Sequence, residues 1–450
     1  MSPMDAAFLY SEDGKSHNDI GMVLTFDGPA PTHAELVQAV ADRLALLPRF
    51  RQKLRHLPFA AAMPVWVDDT SFDLGRHVIE HTPAHDHDPI GGAVSQVMSG
   101  LMDLSLPLWQ IHLFPGLPGD RWLLVVRMHH AMVDGVSSTE IVHLLLSPKP
   151  EGEPPIPDAW SPEPEPSDAR LLAAAASDAG KAAARMFGSM LHSATNPPPP
   201  QAPAPPADLR PLLTPGRPVS PTAINGPVQA DRRWGMIEVG LDTITATRKT
   251  HGGTVNDILL AACTHGLSSF IAAQGQTVDN RVLRAMVPVS LRSPNNRTAT
   301  ATPGNEVGAM VVELPLGAIP PAERVSRINE QTKAFKQLKN AMPAQAINPG
   351  ADLTSPLTLI LGTRMAALAP VVVNTVITNV PGPQTPLYLA GRRMHRLAAC
   401  VALWAPLRIA ISAVSYDGVV TIGVVSDAAT FPDVQPLLDA IGDGMTELAR

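Results

Sequence analysis

The chain has 450 residues, 45% of them hydrophobic and 17% charged: enough to bury a real core and too long for one, so two domains of about 150–220 residues are expected. Its formal net charge of −7 and its pI near 6.1 come with no basic block, which argues against nucleic acid as a partner and against simple electrostatic adsorption to anionic lipid. Aromatic content is 4%, so the core should be aliphatic.

The opening MSPMDAAFLYSEDGK carries acidic residues and no basic region before an apolar run, so it does not read as a secretory signal. Thr32 and Glu35 have capping-box spacing ahead of Leu36, Val40, Leu44 and Leu47, which predicts a helix. Trp109, Ile111 and Leu113 alternate as in a strand, and Trp122 to Met128 reads as a buried strand. Ser137 to Glu140 then has capping-box spacing and predicts a helix from Ile141 to Leu146.

Proline divides the chain. Of 47 prolines, 20 lie between Pro148 and Pro227, a density incompatible with a packed sheet or a long helix. This predicts an N-terminal domain over 1–147, a Pro-rich connection over 148–227 and a C-terminal domain over 228–450. Inside the connection, Asp168 to Ala194 is proline-free and Ala-rich, which predicts a helix packing on a domain rather than touching lipid. Beyond it, Val307–Leu314 and Val419–Val425 read as strands, and Val255–Ala273 and Val434–Leu448 as helices. The fold class is α/β. Met365 to Val373 is nine apolar residues against the roughly 20 a spanning helix needs, so membrane contact is expected to be peripheral. Cys263 and Cys400 make no CxxC pair and no ligand set, as in a reduced cytosolic protein.

The sharpest motif is His129-His130-Ala131-Met132-Val133-Asp134-Gly135, or HHxxxDG, directly after an apolar strand. Composition gives it a chance count on the order of 0.002. Paired histidines can be core residues, and His130 with Asp134 could hold a metal. Gly135 and the short loop argue against a regular helical ligand pair, and no further ligand cluster stands nearby. A histidine on a strand-to-helix turn with no G-x-S-x-G elbow and no reactive cysteine points to a general base acting on a substrate hydroxyl, without an acyl-enzyme.

HHxxxDG resembles the signature of the CoA-dependent acyltransferase superfamily, which includes chloramphenicol acetyltransferase and peptide-synthetase condensation domains. The rest of the chain is similar to the bacterial wax ester synthase/diacylglycerol acyltransferase family, in particular its actinobacterial triacylglycerol synthases. MSPMDAAFL, LPRFRQKL (47–54), Pro107-Leu108-Trp109, TVNDILLAA (254–262), VPVSLR (287–292), GNEVGAM (304–310), TNVPGP (378–383) and SYDG (415–418) follow in family order. The likeness thins in the Pro-rich connection and over Arg392 to Ile409.

The resemblance implies two chloramphenicol-acetyltransferase-like domains with mixed sheets flanked by helices and an active-site channel at their interface. It implies His130 as the general base, His129 and Asp134 as structural support, and Gly135 as the turn. Arg292, Arg49 and Arg51 are candidate partners of Asp134. Asn256 and Asp257, at the start of a helix capped by Thr254, would supply the second half of the site: Asn256 for the oxyanion or substrate positioning, Asp257 for function or merely for its helix N-terminus. Trp109 reads first as core. No cofactor is implied beyond acyl-CoA as cosubstrate, and no metal. The implied partners are long-chain acyl-CoA and diacylglycerol or a fatty alcohol, with a cytoplasmic protein peripherally associated with the inner membrane face or lipid bodies. Rival readings are an acyltransferase fed by a carrier protein and an inactive lipid-binding scaffold.

Overall fold

The computed structural model describes residues 1–82, 87–132, 145–177, 219–290, 307–341 and 371–450, together with 180, 181 and 184. Two six-stranded mixed sheets carry the architecture, and helices flank them. The strands are β1 (Asp19–Asp27), β2 (Gln52–Arg55), β3 (Val65–Asp68), β4 (Val78–Glu80), β5 (Trp109–Leu117), β6 (Arg121–His129), β7 (Arg232–Gly240), β8 (Val282–Ser290), β9 (Val307–Pro315), β10 (Thr375–Pro381), β11 (Tyr388–Leu389), β12 (Arg392–Cys400), β13 (Ile409–Tyr416) and β14 (Val419–Asp427). The helices are α1 (Pro3–Tyr10), α2 (His33–Leu44), α3 (Pro89–Met98), α4 (Leu241–His251), α5 (Val255–Ala273), α6 (Pro321–Ala341) and α7 (Gln435–Ala449).

The first sheet runs β11-β12-β1-β6-β5-β4 and the second β7-β14-β13-β10-β8-β9, while β2 and β3 form a separate hairpin. Sheet membership does not follow the division expected at the Pro-rich connection. Strands β11 and β12 come from the second half of the chain yet pair in the first sheet, Gly21 opposite Cys400 and Leu24 opposite Leu397. The stretch where the family likeness thinned is therefore the strand that crosses between the halves.

A shared core joins the sheets. Val23, Leu123 and Val125 of the first meet Trp234, Ala410 and Val425 of the second, with Val94 and Val97 of α3 between them. Ser95 on α3 accepts the Trp234 backbone N–H at 3.0 Å, and the indole N–H of Trp234 donates to the Ala399 carbonyl of β12 at 3.1 Å. These bonds satisfy polar groups that the apolar interface would otherwise strand.

The second core is built around α5, which is buried along most of its length and packs between α7, α6 and α4. Gly266 and Gly444 let α5 and α7 approach: a Cβ at Gly266 would lie 2.9 Å from the Ile441 backbone nitrogen, and one at Gly444 would lie 3.0 Å from the Ala262 carbonyl oxygen. By length and composition α5 could cross a membrane, but 72% of its apolar window is buried here. It serves as a core helix whose first turn is fixed in place.

The Pro-rich connection is laid against the first half over the part that is described. Ser147 pairs with Tyr388 of β11, residues 148–151 turn, residues 152–167 carry no helix or strand, and residues 168–177 are helical with Leu171 buried. The helix expected over Asp168–Ala194 and the one expected over Ile141–Leu146 otherwise lie largely outside the described residues.

Candidate active site

Strand β6 delivers the two histidines. Its register with β1 runs unbroken from Arg121 opposite Asp27 to His129 opposite Asp19. The chain then turns. His129 donates its backbone N–H to the Leu108 carbonyl at 3.0 Å, and its own carbonyl accepts from Met132 N–H at 2.9 Å. Leu108 belongs to the Pro-Leu-Trp block, so that block holds the turn through its backbone. Trp109 is core: fully buried, its indole N–H bonded to the Phe50 carbonyl at 2.7 Å.

His129 is fully buried. Its Nδ1 accepts the Ala131 backbone N–H at 3.0 Å, which leaves the proton on Nε2, and Nε2–H donates to Glu12 Oε1 at 2.9 Å. A ring fixed at both nitrogens is a strut. His130 is only partly buried. Its backbone N–H donates to the Asn18 carbonyl at 2.9 Å, and its ring lies stacked on Phe8, centroids 4.0 Å apart and 16° from parallel. Asn18 closes the cradle: its backbone N–H bonds Glu12 Oε1 at 2.8 Å, and its side-chain amide bonds the Phe8 carbonyl and Ser11. Residues 8–18 thus grip both histidines.

One layer further in, Asp19 is buried and pairs with Arg127 of β6, whose Nε donates to Asp19 Oδ2 at 2.9 Å. Arg127 also donates to the carbonyls of Val97 and Gly100. Burial pushes the Asp19 carboxyl up, but His17, the Arg127 charge and His129 outweigh it and bring its pKa down to about 2. Glu12, Asp19 and His129 offer donor atoms within 4.8 Å of one another, the kind of set that can hold a metal. Asp19 Oδ2 already serves Arg127, Glu12 Oε1 serves Asn18 and His129, and His129 Nδ1 serves the Ala131 N–H, while Asp19 Oδ1 accepts no hydrogen bond among the described residues; the buried guanidinium opposes a second cation.

Asp134, Gly135 and Arg292 lie outside the described residues. Of the other two arginines, Arg51 is taken by Asp158 and stacks on Trp160, and Arg49 lies over the Trp66 ring.

Asn256 and Asp257 sit in the first turn of α5 and have separate fates. Asp257 is fully buried and forms a capping box with Thr254. Its carboxylate accepts from Thr254 N–H at 2.7 Å, the Thr254 hydroxyl at 2.9 Å, Asn329 at 2.7 Å and Thr332 at 2.8 Å. These contacts engage the carboxylate in fastening α5 to α6, which gives it a structural task. Asn256 is partly exposed, and its Oδ1 faces the Asn379 amide of the TNVPGP block at 3.4 Å. The histidines belong to the first sheet, and this amide pair belongs to the second sheet and its helix.

Cys263 and Cys400 are buried, and burial pushes both thiols up to about 12, so neither is a nucleophile near neutral pH.

The wax ester synthase/diacylglycerol acyltransferase catalytic domain profile matches residues 1–259, and the profile of the corresponding C-terminal domain matches residues 303–449. The chain belongs to this family. A probable diacylglycerol O-acyltransferase of Mycobacterium tuberculosis, tgs1, is 28% identical over the whole of this chain and 95% of its own length. A second from that organism, tgs2, is also 28% identical, over the whole chain and 98% of its own length. The wax ester synthase/diacylglycerol acyltransferase of Marinobacter aquaeolei VT8 has the same fold, with a TM-score of 0.68 at 24% identity, covering 100% of this chain and 98% of that one. The starter condensation domain of rhizomide synthetase, solved with C8-CoA and Leu-SNAC, matches at a TM-score of 0.60 and 13% identity over 100% and 94% of the two chains.

Both histidines and Asn256 were singled out from the sequence; Phe8, Glu12, Asn18, Asp19 and Arg127, which the structure places around the turn, were not. One signal was available: Arg127 is a charge inside an otherwise apolar strand, two residues before the motif. Such a charge must find a buried partner.

Proposed function

We propose that this acyltransferase moves a long-chain acyl group from acyl-CoA to the free hydroxyl of diacylglycerol, making triacylglycerol, with His130 as the general base. The observation that carries the reading is an intact HHxxxDG motif whose His130 projects from a braced turn, in a chain spanned by both halves of the family profile. The imidazole takes the hydroxyl proton. The alkoxide oxygen attacks the thioester carbonyl carbon, the C–S bond breaks, and the imidazolium returns the proton to the CoA thiolate. Asn256 is assigned to the oxyanion or to substrate positioning. Asp134 and Gly135 are assigned to support and turn of the motif.

The cosubstrate is acyl-CoA, and no other cofactor is assigned. Because diacylglycerol resides in membranes, the reading includes peripheral association of a cytoplasmic protein with the inner membrane face or lipid bodies. The experiment is thiol release from a long-chain acyl-CoA with diacylglycerol, with a fatty alcohol and with no acceptor, beside His130→Ala. Release that needs both diacylglycerol and His130, with triacylglycerol as product, is the expected result. Alcohol-only release moves the assignment to wax ester synthesis. His130→Ala turning over at the wild-type rate overturns the mechanism; the expected loss is roughly 10²–10⁴-fold.

A further inference from the structure

An apolar wall stands beside the catalytic turn. Leu9, Leu54, Leu108 and Ala131 form its buried floor, and Phe8, Trp66, Met102, Leu104 and Met132 pack on it while staying partly exposed. Two of these residues come from the β2–β3 hairpin, where Leu54 lies opposite Trp66 and the pair shares a face. Neighbouring side chains in a strand point the other way. Arg55 is therefore on the outer face of the hairpin, and there it meets the Pro-rich connection.

The connection grips that outer face through charge. Arg55 pairs with Glu165 at 2.7 Å and with Asp168 at 2.6 Å. Arg51, just before β2, is buried in a two-point pair with Asp158 and covered by Trp160, whose ring also meets Phe72 edge-on at 6.3 Å. At the end of β3, Asp68, on the face it shares with Trp66, accepts the Glu163 backbone N–H at 3.0 Å. One face of the hairpin thus lines the site, and an acidic strap about a hundred residues away in sequence pairs with the arginines of the other and ties down the end of β3.

We infer that Asp158, Glu165 and Asp168 are positioning residues for the apolar wall, acting through Arg51 and Arg55 to hold Leu54 and Trp66 where a substrate's aliphatic chain lies against the catalytic turn. This rests on the acyltransferase reading above. A two-stranded hairpin has little stability of its own, so its placement depends on what packs against each face. Exposed pairs are weak singly and salt-sensitive, but several acting together, one of them two-pronged, hold a small element. Two chains could occupy the wall, the acyl chain of the donor or the alkyl chain of the acceptor.

The test compares the full-length wild type with Asp158→Asn/Glu165→Gln/Asp168→Asn. Thiol release is measured with palmitoyl-CoA and octanoyl-CoA at fixed acceptor, then with long and short acceptors at fixed donor, each at low and high salt. Equilibrium binding of the two acyl-CoAs is measured alongside by calorimetry. The expected result is a rise of about threefold to tenfold in KM for the long chain, with the short-chain kcat nearly unchanged. High salt should move the wild type toward the variant and change the variant much less. The arm that shifts identifies which chain lies on the wall. Equal chain-length discrimination by wild type and variant, in binding and turnover, overturns the inference, and so does an equal fall for long and short chains. A wild type that releases no thiol overturns the functional reading instead, and the binding comparison still decides this one. If the triple variant does not fold, Glu165→Gln/Asp168→Asn, at the more exposed pairs, carries the same comparison.

Discussion

Replacing Asp19 by Asn tests the buried foundation of the active-site turn. The exchange keeps size and one carbonyl acceptor but removes the charge facing Arg127. The wild-type carboxyl is held at about 2 against an ordinary 3.8, which corresponds to roughly 2–3 kcal/mol of stability at neutral pH. Because the folded value is the lower one, this contribution is complete above about pH 4 and is lost as pH falls through about 2. Breaking a buried pair from one side adds the cost of an uncompensated guanidinium, and such losses run to about 3–5 kcal/mol. Asn still accepts one hydrogen bond and Arg127 keeps the Val97 and Gly100 carbonyls, so the expected loss is about 3 kcal/mol. Urea unfolding at pH 7 measures it. The double variant Asp19→Asn/Arg127→Met should recover much of the loss, because the stranded charge is gone. The variant should also lack the wild type's extra loss of stability between pH 4 and pH 2. A loss under about 1 kcal/mol, or a double variant no more stable than the single one, refutes the view that charge compensation holds this layer.

Three further outcomes follow from the site. Phe8→Ala removes a ring stack worth about 0.5–1.5 kcal/mol, so kcat should fall roughly threefold to tenfold; a fall in melting temperature with kcat unchanged would make Phe8 packing alone. Glu12→Gln keeps an oxygen for His129 Nε2–H and Asn18 N–H and should stay within about tenfold of wild-type turnover, whereas Glu12→Ala leaves a buried donor unsatisfied at a cost of about 1–3 kcal/mol; equal kinetics for the two variants would count against hydrogen-bond orientation of His129. Asp257→Ala should lower stability by about 1–3 kcal/mol through the lost cap and the unsatisfied Asn329 and Thr332, while kcat/KM of the folded fraction stays near wild type; a selective collapse of kcat would return Asp257 to the chemistry.

How far the fold was readable depended on distance along the chain. The capping box at Thr32–Glu35 and the cap at Thr254 are local, each within four residues, and both form; at Thr254 the cap is closed into a full box by Asp257. Strand β6 was legible because it is buried on both faces and therefore continuously apolar. Strand β12 was not. Its sequence RRMHRLAAC changes character midway, and the structure explains the change. The charged half lies at a rim, where Arg396 meets Glu238 and His395 meets Asp27. The small apolar half is buried between the sheets, against Ser412 and Trp234. No single period describes a strand with two environments, and its partner β1 lies some 375 residues earlier.

The same argument explains what was legible in the site. HHxxxDG is contiguous, so its chemistry could be read from residue types. The groups that hold it are not contiguous: Glu12 reaches His129 across 117 residues, and Asp19 reaches Arg127 across 108. Their pairing needs β1 beside β6 in one register, and a slip of one residue would turn Asp19 to the other face. Nine consecutive pairs, from Asp19 opposite His129 to Asp27 opposite Arg121, fix that register between two strands buried along most of their length. Strand pairing with no chemistry of its own therefore brings the orienting carboxylates to the histidines.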